Sequence, residues 1–104
     1  DAAHRDYPDL YQAYYDEGLL EYCGLQTRES MGSFALRRDE LLAKTPLSAA
    51  QHRTVRIAAS IKIDYDYQDH GLSGSRQWCR TAGHEAYDRF VARYRAQAHS
   101  NAVP

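Results

Sequence analysis

From Val55 onward the chain alternates. Val55, Ile57, Ala59, Ile61, Ile63, Tyr65 and Tyr67 occupy the odd positions, and Arg56, Ala58, Ser60, Lys62, Asp64, Asp66 and Gln68 the even ones. Period two is the pattern of a half-buried strand. The same residues also satisfy a helix. At about 100° per residue, Leu47, Ala50, Thr54, Ile57, Ala58, Ile61 and Tyr65 fall within one apolar sector. Val55, Ala59, Ile63 and Tyr67 then form a second stripe at four-residue spacing. Context favours the helix. No other segment alternates to supply a strand partner, and a typical strand has only about five or six residues. Ser48 with Gln51 three residues on matches a capping box just after Pro46. A strand over 55–67 requires two chains to pair edge to edge. The helical reading predicts that the first stripe faces the core and the second meets a fourth helix or another molecule.

Helical periodicity recurs on both sides. Pro8 suits a first turn because it has no amide proton to lose there. It opens a predicted helix to Tyr22 that places Tyr11, Tyr14, Tyr15, Gly18, Leu19 and Tyr22 on one face, with Cys23 at its edge. Asp16, Glu17 and Glu21 lie away from that face. Thr27 is positioned to cap a second helix to about Ala43, with Met31, Phe34, Ala35, Leu41 and Leu42 inward. Gly71–Ser75, GLSGS, reads as a flexible turn, and Ser75 as the cap of a last helix to about Gln97. That helix turns Cys79, Ala82, Gly83, Ala86, Tyr87, Phe90 and Tyr94 inward, and Glu85 is spaced to pair with Arg89. The expected fold is all-α, a small three- or four-helix bundle in one domain over 1–104, with frayed ends near 1–6 and 99–104.

Composition narrows the functional classes. In 104 residues, 43% are hydrophobic and 26% charged, with a net charge of −1. That balance allows a modest core and argues against a nucleic-acid partner, whose phosphates select a strongly basic surface. No apolar run reaches the length of a membrane span. Cys23 and Cys79 are the two cysteines, with neither CxxC nor Cys/His metal spacing. The pair predicts one disulfide and hence an oxidising, periplasmic or secreted setting. In the chain-entropy model a loop of this length stabilises the fold by about 4 kcal/mol. The chain opens Asp-Ala-Ala-His, as expected of a product from which a signal peptide is removed.

Two patterns carry candidate chemistry. Asp64, Asp66, Asp69 and His70 cluster at the end of the alternating stretch, a donor set for a hard cation such as calcium or a lanthanide. Asp66, Gln68, His70 and Gly71 match positions 1, 3, 5 and 6 of an EF-hand loop, but Gln77 stands where the bidentate glutamate belongs. In the solvated alternative, Asp66 pairs with Lys62 one turn away. The second pattern is tyrosine: nine in all, five of them before Cys23. Tyrosine combines an apolar ring with a polar tip and is enriched at recognition surfaces. Tyr11, Tyr14, Tyr15, Ile63 and Tyr67 are therefore the candidate partner-binding residues.

Catalytic arrangements are poor. GLSGS departs from a nucleophile elbow at its last residue, and the His84–Asp88 pair has no nucleophile beside it. The sequence thus predicts an exported, non-enzymatic accessory module that binds another protein, or a second copy of itself, through a tyrosine-rich surface. The alternative is a hard-cation binder using residues 64–70.

Overall fold

The computed structural model describes residues 2–102. It is an all-α bundle with one disulfide. Its elements are α1 (Ala2–Asp6), α2 (Pro8–Tyr22), α3 (Arg28–Lys44), α4 (Ala49–Asp69), α5 (Gly71–Trp78), a π-helical turn (Cys79–Gly83) and α6 (His84–Ala102). The alternating stretch is helix throughout.

Local chemistry accounts for the ends. Gly24 adopts φ +66° after α2. This lets the Leu25 amide donate to the Leu20 carbonyl at 2.8 Å and the Gly24 amide to Glu21 at 3.2 Å. That is a Schellman closure, which a residue with a Cβ enters only with strain. Thr27 caps α3 reciprocally with Ser30, a shorter stand-in for the usual glutamate. Ser48 and Gln51 cap α4 in the predicted manner, at 3.1 and 2.9 Å.

Two expectations fail at the chain's breaks. GLSGS is not a turn: one glycine, Gly71 at φ +68°, redirects the chain, and helix resumes at once. Ser75 is buried inside α5 rather than capping α6. Residues 2–6, expected to fray, form α1 and bury Ala3. Helix continues to Ala102, past the expected stop at Gln97; Asp1, Val103 and Pro104 of the expected frayed ends lie outside the described residues.

α2 is the axis of the assembly. α4 runs parallel to it: Leu10 and Tyr11 near the start of α2 pack with Val55 in the first half of α4, and Tyr22 stacks on Tyr67 near the ends of both. α3 and α6 lie along its other side. These two run parallel to each other, from Thr27 against Tyr87 through Ser33 against Phe90 to Glu40 against Arg93. The Cys23–Cys79 bridge, with Cα atoms 5.4 Å apart, ties the end of α2 to the start of the π turn. Among the described residues the helical neighbours of α4 are α1, α2 and α5. The molecule measures 48 × 30 × 18 Å. With those neighbours on one side, α4 keeps its other face in solvent.

Two apolar clusters share α2. Leu10 and Tyr11 pack with Ala3, Val55 and Ala59, while Leu19 and Leu20 pack with Ile63, Ala86 and Phe90. The most buried residues of α2 are thus mainly aliphatic, not the tyrosines alone. α3 contributes serine rather than the expected methionine. Ser30 and Ser33 are buried while Met31 is exposed. The Ser33 hydroxyl donates to the Phe90 carbonyl, a contact available only to a small side chain at a close helix crossing.

At Gly18 the backbone of α2 lies close against a side chain of α4. A Cβ there would stand 2.9 Å from Cγ2 of Ile63, which is itself 1% exposed. Overpacking of this kind costs about 1–3 kcal/mol, against about 1 kcal/mol gained in helix propensity. Gly18→Ala is therefore expected to lower stability by a net amount of about 1 kcal/mol, read as a lower urea midpoint. An unchanged or raised midpoint would mean that Ile63 yields and the contact is loose.

Candidate functional site

α4 presents two faces, and the structure reverses the roles that the sequence assigned to them. Val55, Ala59 and Ile63 are 1%, 0% and 1% exposed and form its inner face. Ile57, Ile61 and Tyr65, expected in the core, are 49%, 65% and 69% exposed. The reason is what α2 offers at the contact. Gly18 leaves room for a β-branched side chain at close range, and Ile63 fills it. The stripe that carries Ile63 must then turn inward. Only four-residue spacing could have signalled this, and both stripes have it.

Three tyrosine hydroxyls of α2 stitch the edges of this contact. The Tyr15 hydroxyl donates to Asp66 at 2.6 Å, the Tyr22 hydroxyl donates to Asp64, and the Tyr14 hydroxyl is 2.7 Å from Nε2 of His52. Tyrosine suits these positions because its ring fills the seam while its oxygen reaches a polar group at the rim. The candidate partner-binding residues accordingly lie in or along this contact. Tyr11 is 7% and Ile63 1% exposed, and Tyr14, Tyr15 and Tyr67 are half-buried.

The acidic cluster is also divided. Asp64 accepts from Tyr22 and from Gln68 at 3.0 Å. Asp66 accepts from Tyr15 and from the Lys62 ammonium at 2.8 Å, the one-turn pair expected in the solvated alternative. His70 places Nδ1 2.6 Å from the Asp66 carbonyl and stacks on Trp78 at 4.5 Å between ring centroids. Asp69 is exposed. Among the described residues no group of three or more His, Cys, Asp and Glu side chains stands ready to hold a metal ion. Gly71 of the EF-hand-like match turns the chain into α5 instead of a ligand loop.

A groove of about 260 Å³ between α2, α3 and α6 carries Asp16, Arg37, Arg89 and Arg93. Its arginines are held by carboxylates of the molecule itself. Asp16, expected in solvent, is buried and holds Arg89 at 3.0 Å and Gln12 at 2.9 Å. Arg89 therefore reaches across helices rather than to Glu85. Arg93 and Arg37 share Glu40, whose carboxyl Arg93 holds below its ordinary range. Among the described residues, Ile57, Ile61 and Tyr65 form an exposed apolar stripe on the outer face of α4, while Tyr22, Met31 and Leu36 are exposed elsewhere. Comparison with family models, curated proteins and solved structures finds no match to this chain.

The seam makes stability depend on pH at both extremes. Burial alone would raise the Asp66 carboxyl, but the Lys62 and Tyr15 hydrogen bonds outweigh it and hold it low. Its contribution is present above about pH 4 and is lost as pH falls below the ordinary aspartate range. Burial raises Tyr11, Tyr14 and Tyr15, and the hydrogen bond to Asp64 raises Tyr22. Those contributions are complete below about pH 10 and are lost as pH rises above it, because the unfolded chain ionises first. Tyr15→Phe is expected to cost about 1 kcal/mol at neutral pH and to flatten the alkaline limb of stability, read by urea titration across pH. An alkaline limb as steep as wild type would show that Tyr15 does not hold the seam.

Proposed function

We propose that this chain is an exported, non-enzymatic module that binds another protein chain through the outer face of α4. The observation that carries the reading is the stripe Ile57, Ile61 and Tyr65 on a helix whose opposite side is fully packed. A single exposed apolar residue is ordinary on a protein surface. Three at four-residue spacing, extended by Ala50 and Thr54, make a continuous ridge of the kind that docks helix against helix. The ridge sits on a rigid support, because the Val55–Ala59–Ile63 side is locked on α2. Export is supported by the Cys23–Cys79 bridge, which persists in an oxidising compartment. Binding rather than catalysis is supported by the use of the histidines and carboxylates in the seam, where His52, His70, Asp64 and Asp66 are held by internal partners.

A photo-crosslinking residue at position 61 of the exported, oxidised chain tests this reading. Irradiation is expected to give discrete higher-mass adducts at position 61 and none at Asp88, an exposed position on α6. A chain that gives no discrete adduct at position 61 would overturn the assignment of this face.

A further inference from the structure

The outer face of α4 is arranged as its own complement. Ile57 and Ile61 stand at its middle, the large Tyr65 at one end, and the small exposed Ala50 and Thr54 at the other. Arg53 and Asp64 lie on one flank, separated by about three helical turns and so brought back to the same side. Arg53 is exposed and makes no ion pair among the described residues. Asp64 is half-buried, and its two bonds, to Tyr22 and Gln68, involve no cation.

We propose that the occupant of this face is the same face of a second copy, the two α4 helices pairing antiparallel about a two-fold axis. The proposal rests on the reading of the face as an interaction surface and names its partner. The axis passes between Ala58 and Ala59, midway between Arg53 and Asp64. Rotation about it sets Arg53 of each chain opposite Asp64 of the other, and the pair occurs twice. Ile57 and Ile61 straddle the axis and interdigitate with their copies. Each Tyr65 ring comes to rest over Ala50 and Thr54 of the other chain, large against small. This is the isologous, self-complementary contact that a closed two-fold dimer requires. A parallel pair has none of these features: it sets Arg53 on Arg53, Asp64 on Asp64 and Tyr65 on Tyr65. One helix face against another lies at the small end of specific interfaces, so the dimer is weak and reversible.

Sedimentation analysis of the full oxidised chain from low-micromolar to submillimolar concentration reads the association. The mass is expected to rise reversibly from one chain to two, and Ile61→Glu to abolish the rise. Arg53→Asp and Asp64→Arg each convert two attractions into two repulsions and are expected to weaken the dimer about tenfold. Combining the two substitutions swaps the charges and is expected to restore wild-type affinity; a heterologous partner has no reason to produce that rescue. Circular dichroism confirms that each variant keeps its helices. A chain that stays monomeric throughout, or a dimer indifferent to the charge swap, overturns the proposal. If the position-61 crosslink then captures only a different protein, the binding reading stands and self-pairing falls. If it captures nothing, both fall.

Discussion

Cγ2 of Ile63 lies 2.9 Å from the point at which a side chain on Gly18 would begin. That approach is what lets α4 lie flat along α2. It determines which of two equivalent apolar stripes turns inward, and so which is left for solvent. The tyrosines follow from it. With the backbones this close, side chains at the rim must run along the seam, and Tyr14, Tyr15 and Tyr22 do so, each ending on a polar group of α4. The carboxylates that look like a metal site in the sequence become the acceptors that finish those contacts.

The other half of the molecule obeys the same rule with different residues. Where the π turn meets the residues just after α2, a Cβ on Gly83 would stand 3.0 Å from Leu25 and 3.4 Å from the Cys23 sulfur, and Ala86 at the start of α6 is fully buried. Where α3 meets α6, Ser30 and Ser33 take the place of large apolar residues. Small residues at these contacts let the elements draw close. The Cys23–Cys79 bridge closes the end that the Gly24 turn leaves open. α4 is packed on one side only, and its outer ridge is the consequence.

The helices were legible because their signals are local. Pro8, the Ser48–Gln51 box and the Thr27 cap stand within a turn of the boundaries they set. The disulfide followed from there being two cysteines, each beside an apolar face. What could not be read was the partner of each face. Val55–Ala59–Ile63 and Ile57–Ile61–Tyr65 are equally apolar, and the choice between them depends on Gly18, far away in sequence. Asp16 reads as a solvated carboxylate until Arg89, on another helix, is brought to 3.0 Å from it. GLSGS has the composition of a turn, yet Gly71 alone makes the break and the remainder continues as helix. The tyrosines of α2 read as a recognition surface for the same physical reason that the fold uses them along the seam: a ring to bury and a hydroxyl to satisfy.

The seam and the outer ridge both depend on the orientation of α4 about its own axis. Hydroxyl-radical footprinting of the dilute, oxidised chain, resolved by residue with mass spectrometry, reads that orientation directly. Fast modification is predicted at Ile57, Ile61 and Tyr65, with Val55 and Ile63 protected to the level of Leu20 in the core. Modification of Val55 and Ile63 at the rate of Ile57 and Ile61 would contradict the orientation, and with it both the seam and the surface proposed on its far side.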